Sequence, residues 1–173
     1  MLLPVKRLRE DTLSGRPAAT PLWEIDMRKN LPMLLIRVIV GLVFLTEGIL
    51  KFVLPSELGA GRFAHIKLPY PQVLAPFVAI VEIVAGAALM FGVYAGDAAV
   101  LLLIVILTAI ATTKVPILLG HNFGRFEPPR LSHYGLLSFL HEARTDLCML
   151  VGCVAVLLDS GLTMTSSKRL FQR

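Results

Sequence analysis

The stretch that most constrains this chain is Leu31 to Leu54, LPMLLIRVIVGLVFLTEGILKFVL, whose only charges are Arg37, Glu47 and Lys51. As a helix rising about 1.5 Å per residue it is about 36 Å long, enough to cross the hydrocarbon layer of a bilayer with some tilt. At about 100° per residue from Arg37, Gly41 falls near +40°, Phe44 near −20°, Glu47 near −80°, Gly48 near +20° and Lys51 near −40°. All three charges therefore share one face. A charge at mid-bilayer costs about 2.5–3.5 kcal/mol on insertion scales, so that face needs partners from other helices.

Composition agrees with a membrane protein. The chain has 173 residues, 55% of them hydrophobic, with a mean hydropathy of +0.74, outside the usual range of soluble domains. Further apolar runs at Val73 to Val93, Ala98 to Leu119 and, more weakly, Thr145 to Met164 are each long enough to span. The expected fold is all-α, a membrane four-helix bundle with short loops and an outer amphipathic segment. Its expected organisation is a basic cytoplasmic tail over 1–30, a membrane domain over 31–164 and a second cytoplasmic tail over 165–173. The formal charge of +5 is concentrated in the tails beside apolar spans, which points to anionic lipid and not to nucleic acid. Cys148 and Cys153 are about 140° and about 7.5 Å apart on one helix, too far for a disulfide, so apolar packing is their expected role.

The basic opening, with Lys6, Arg7, Arg9, Arg16, Arg28 and Lys29, is followed by no apolar core with a small-residue cleavage site, so it does not read as a signal peptide. Trp23 and Ile25 stand where interfacial residues often sit, just before the first span. Adding Lys168, Arg169 and Arg173, the tails hold nine basic residues against Arg62 and Lys67 in the loop after span one. The positive-inside rule and an even number of spans then place both termini in the cytoplasm of a plasma (inner) membrane, multi-pass protein. Pro55 to Gln72, with Gly59, Gly61, Pro69 and Pro71, reads as turns. Pro116 is expected to kink span three and free carbonyls around Thr112 and Thr113. The amphipathic LSHYGLLSFLHEA of Leu131 to Ala143 is expected along the outer interface, as a lid.

Because the spans alternate in direction, depth can be compared. Glu47, Lys51, Glu82, Lys114, Glu142, Arg144 and Asp146 all fall in the outer half of the bundle, while Arg37 and Asp159 share a level near the inner side. The eight candidates for ligand binding or proton handling are thus Arg37, Glu47, Lys51, Glu82, Lys114, Glu142, Arg144 and Asp146. Around span four Arg144 points away from the arc of Glu142, Asp146, Met149 and Cys153. Glu82, the deepest of the outer group, is expected to pair with Lys51 or Lys114. A structural reading stands beside the functional one: such pairs also serve as glue that fixes which helix meets which. The excess of charges favours a site.

Arg37 followed by G-x-x-F at Gly41 to Phe44, EGILKF at Glu47 to Phe52, LPYP at Leu68 to Pro71 and VEIVAGAALMFG around Glu82 together resemble the DoxX family of four-span membrane proteins. His141 to Asp146, HEARTD, is similar to one branch of it. The resemblance spans roughly Met33 to Leu158 and departs at the basic tail and at Asp159, Ser160 and Gly161, where a G-x-x-S-L-D ending would be expected. It implies a four-helix bundle and, for some members, quinone-linked sulfur oxidation or membrane redox complexes. Three function classes follow. A subunit of a quinone-linked oxidoreductase would hold a quinone head group between Phe44 and Phe52, with Lys51, Lys114 or a histidine donating hydrogen bonds, carboxylates handling protons and a redox partner protein supplying electrons. A non-catalytic scaffold and a small-solute carrier are the alternatives, the latter weakened by the absence of an inverted repeat. There is no metal, haem or flavin signature, since His121, His133 and His141 have no ligand spacing.

Overall fold

The computed structural model describes residues 22–170, with side chains described for 31–161. The expected basic tail, Trp23 and Ile25, and the C-terminal tail therefore lie outside the described side chains. The elements are α1 (Leu22–Val53), α2 (Ala60–His65), α3 (Pro71–Phe91), α4 (Ala95–Ala109), a π-helical turn (Ile110–Lys114), α5 (Val115–Leu119) and α6 (Leu136–Leu170). Among the described residues there is no strand; the nearest approach to one is a tight turn in which Phe123 and Phe126 exchange backbone hydrogen bonds.

Small residues explain the packing. A Cβ on Gly41 of α1 would lie 2.5 Å from the Gly86 carbonyl oxygen of α3, and one on Gly48 would lie 2.7 Å from that of Ala79. The two backbones approach this closely because no side chain separates them. Gly152 of α6 receives Val40 of α1 in the same way. α6 also packs on α4, and α4 on α3, so the helices follow one another around a ring. Its centre holds Val40, Phe44, Leu89, Leu102, Ile106, Met149, Cys153 and Val156. Cys148 is exposed and the two cysteines are not joined. α3 ends in a Schellman arrangement, with Gly92 at φ +70° and the Val93 N–H on the Ala88 carbonyl at 2.9 Å. We call this α3–α4 turn the lower end of the bundle and the end carrying α2 the upper end.

The outside is as apolar as the inside. Leu35, Ile39 and Ile49 of α1, Val73, Ile80 and Val84 of α3, Val100 and Leu107 of α4, and Val151 and Leu158 of α6 are all exposed. Such a surface belongs in lipid. Leu31–Val53, Pro71–Phe91 and Ala95–Leu119 are each long and apolar enough to cross a membrane. α6 is longer than any of them and carries Glu142, Arg144, Asp146 and Asp159.

Three local expectations need correcting. The segment after α1 is not all turns, because Ala60–His65 closes a short helix. The stretch from Leu131 to Ala143 is not one amphipathic element: it is irregular up to Gly135, and from Leu136 it forms the first two turns of α6. Span three departs from α geometry before Pro116, not at it. The Val115 N–H reaches five residues back to the Ile110 carbonyl, and the Thr112 and Thr113 hydroxyls donate to the Thr108 and Ala109 carbonyls at 2.8 and 2.7 Å.

Candidate functional site

The upper half of the ring encloses a cavity of about 560 Å³. Its floor is apolar, formed by Val43 and Phe44 of α1, Val105 and Ile106 of α4, and Met149 of α6. Its upper wall carries the charges: Glu47 and Lys51 from α1, Glu82 from α3, Lys114 from the π turn, and Glu142 and Asp146 from α6. Six of the eight sequence candidates therefore line one space. Arg37 and Arg144 do not. Arg37 lies at the lower end, its Nη2 donating to Asp159 Oδ2 at 2.7 Å across α1 and α6, while its Nε is buried without a partner. Arg144 is exposed and donates to the His141 ring 3.2 Å away, on its own helix.

Lys51 is the centre of the site. Its Nζ donates to Glu82 Oε2 at 2.6 Å and lies 3.8 Å from Glu47 Oε2 and 3.4 Å from the Glu47 carbonyl. Glu82 is 4% exposed, and Lys51, not Lys114, is its partner. Turning α1 by 100° per residue puts Lys51 four residues past Glu47 on the same face, and the close α1–α3 approach at Gly48 brings Glu82 within reach.

Lys114 Nζ lies 3.7 Å from Asp146 Oδ2 on α6. This contact depends on the π turn. Counted as uninterrupted α-helix, Lys114 would lie about 80° from Ile104 on the side of Leu107, beside the lipid-facing stripe. A π turn accommodates roughly one extra residue, which holds Lys114 back by about one residue's rotation, toward α6.

The roof was missed in the sequence. Leu58, Arg62, Phe63 and Ile66, from α2 and its flanks, close the cavity from above, with Leu68 beside them. Their spacing of four, five and eight residues is the signature of one helical face, but the surrounding glycines and prolines read more strongly as turns. Arg62 lies within electrostatic reach of both Glu82 and Asp146, yet among the described residues it has no ion-pair or hydrogen-bond partner. Lys67, at the end of this segment, donates to Glu127 in the α5–α6 connection and so ties the roof to the neighbouring loop. That hydrogen bond holds the Glu127 carboxyl below the usual carboxylate range. The aromatic walls are Phe44, Phe63 and Phe77; Phe52 is exposed and does not reach the cavity.

The DoxX family model matches residues 32–115, from α1 to the segment that carries Lys114. The chain is also 37% identical over 158 residues to an uncharacterized membrane protein of Mycobacterium tuberculosis, an alignment covering 90% of this chain and 93% of that one. The chain belongs to the DoxX family. The match to the relative runs far beyond the family model's end, so α5 and much of α6 are shared as well as the first three spans. No solved structure matches this DoxX chain. Of the charged wall, Glu47, Lys51, Glu82 and Lys114 fall inside the family match, and Glu142 and Asp146 beyond it.

Proposed function

We propose that this DoxX chain is a four-span protein of the plasma membrane with both termini cytoplasmic, and that its chamber binds a lipid-soluble quinone as a subunit of a membrane oxidoreductase system. The observation that carries the reading is the cavity itself: ionisable groups from four segments meet above an apolar floor, in a volume suited to a small molecule. A structural network has no need of the space. In this reading α6 is the fourth span, and its charged upper third is accommodated because Glu142 and Asp146 face the chamber and not the lipid.

A quinone supplies two-electron chemistry that takes up or releases two protons, and the chain's own residues serve its head group. Lys51 and Lys114 stand as hydrogen-bond donors to ring oxygens, while Glu47, Glu142 and Asp146 exchange protons toward the upper end. Phe44 and Phe63 provide apolar surface for the ring. Electrons come from a partner protein. Below Phe44 the core is apolar as far as the Arg37–Asp159 pair, so proton exchange is directed to the upper side.

The test is binding by purified protein in lipid vesicles. Glu47→Gln and Asp146→Asn should leave thermal stability close to wild type and abolish quinone binding. A protein that neither retains a quinone from the membrane nor binds one at bilayer concentrations, or variants that bind as wild type does, would replace this reading with a scaffold held together by ion pairs.

A further inference from the structure

The circumferences of α3 and α4 show how the chamber is reached. On α3, counting about 100° per residue from Phe77, the exposed Val73, Ile80 and Val84 lie between about −60° and −20°, and the cavity-lining Leu74, Val78 and Val81 between about +40° and +100°. The α1 contact at Ala79 and Gly86 is on the far side, within about 20° of 180°. On α4, counted from Ile104, exposed Val100 and Leu107 lie near −40° and −60°, cavity-lining Leu101, Val105 and Thr108 between about +40° and +100°, and buried Leu102 and Ile106 within about 20° of 180°. On both helices the lipid-facing stripe passes straight into the cavity wall, with no buried residue between them. Phe77 and Ile104 occupy the two edges; each lines the cavity and is also well exposed.

The same faces of α3 and α4 pack together lower down, through Ala85, Leu89 and Ala98. Above that contact the helices part, and the parting lies at the level of the hydrocarbon layer. The roof, by contrast, is covered by α2 and tied down by Lys67 and Glu127. Of the three cations around the cavity, Lys51 and Lys114 already face carboxylates, whereas Arg62 faces none in ion-pair range among the described residues.

We propose that the chamber is loaded sideways from the bilayer, through the cleft between α3 and α4 bounded by Phe77 and Ile104, and that Arg62 on the roof holds the head group. This rests on the quinone reading above for the identity of the head group and adds the route and the anchor. The ligand is then an amphipath whose oxygen-bearing head lies under Arg62 and whose chain leaves through the cleft into lipid. A tail of any length is tolerated, because it never has to fit inside the chamber.

The route is read without any quinone by placing a reporter on the floor. In a Trp23→Phe background, Met149→Trp puts the only tryptophan in the cavity, and Val151→Trp puts it on the lipid face for comparison. In phosphatidylcholine vesicles with brominated acyl chains, the tryptophan at 149 should be quenched to at least about half the extent of the one at 151. A reporter at 149 that stays unquenched would overturn the lateral route. Binding supplies the other half, using one benzoquinone head group with no tail, a ten-carbon tail or a long isoprenoid tail. Wild type should bind all three with similar affinity on a bilayer-concentration scale. Ile104→Trp should weaken the tailed forms about tenfold and spare the tailless one, with Leu107→Trp as a lipid-face control that changes nothing. Arg62→Gln should weaken all three about tenfold, the loss expected of one charge-assisted hydrogen bond, whereas Arg144→Gln should not. If Ile104→Trp treats tailed and tailless forms alike, the cleft is not the route; if Arg62→Gln binds as wild type, Arg62 is not the anchor. Quenching at 149 without binding of any quinone by wild type would sink the quinone reading and leave the lateral route standing.

Discussion

Replacing Glu82 by Gln tests whether the Lys51 pair is what allows a carboxylate and an ammonium to sit inside this bundle. Glu82 is 4% exposed and Lys51 is 12% exposed at its side chain, so both ions have left most of their solvent. Removing one partner of a buried pair costs about 3–5 kcal/mol, because it strands the other. Here Lys51 keeps a second, looser carboxylate in Glu47 at 3.8 Å and the Glu47 carbonyl at 3.4 Å, which reduces the expected loss to about 2–3 kcal/mol. For a chain of this size that corresponds to a fall of roughly 5–10 °C in melting temperature. Thermal unfolding in mild detergent, followed by circular dichroism, should show this for Glu82→Gln. Lys51→Met should cost a similar amount, and the double variant should recover at least about 1 kcal/mol relative to the sum of the singles. The control is Lys114→Met with Glu82→Gln, which should be additive because Lys114 faces Asp146 instead. Additivity of the Lys51 and Glu82 changes to within about 0.5 kcal/mol would refute the pairing and the reasoning built on it.

Gly48→Ala would place a Cβ 2.7 Å from the Ala79 carbonyl and 2.8 Å from the Ile83 side chain, so it should separate α1 from α3 and destabilise by about 1–3 kcal/mol in the same assay; a neutral result would show that the helices shift apart at little cost. Topology is checked by introducing Ser56→Cys and Ser167→Cys singly in a background lacking Cys148 and Cys153. A membrane-impermeant thiol reagent on intact cells should then mark only position 56, and marking of 167 would reverse the assignment of the termini. The tie between Lys67 and Glu127 lowers the Glu127 pKa from its ordinary value of 4.5, so its contribution is complete above that value and is lost as pH falls through the lowered one. Hydrogen exchange of residues 58–68 should therefore speed up only below about pH 4.5 in wild type, and Glu127→Gln should exchange at the faster rate across the whole range; a wild type with no acid dependence would argue that the tie does not hold the roof.

The spans and the convergence of charge were legible because a bilayer leaves so few ways to place an ion. Glu47, Lys51, Glu82, Lys114, Glu142 and Asp146 share a depth that can be counted along the helices, and each must avoid lipid. The choice between Lys51 and Lys114 as partner of Glu82 was not legible. It depends on how closely α1 and α3 approach at Gly48, a distance that no residue count supplies. The roof was hidden for a different reason: Gly59 and Gly61 signal turns locally, while the burial that makes a short helix worthwhile at Ala60–His65 comes from the cavity beneath it. Lys114 was harder still, since its direction changes with a single π turn that has no reliable residue signature.

That turn also makes the third span unusually sensitive to length. Most surface loops absorb an inserted or deleted residue with little effect, but between Ala109 and Val115 every such change acts as a rotation of all that precedes it against all that follows. Deleting Ala111 would let the segment relax into an ordinary α-helix and would shorten the span by about 1.5 Å, a trivial loss for a helix that is long enough already. Inserting a second residue there would turn the upper segment further by a comparable angle. The family's tolerance for sequence drift in this span should therefore be wide for residue type and narrow for residue number, with the count between Ala109 and Pro116 held fixed wherever the lysine and its aspartate are both present.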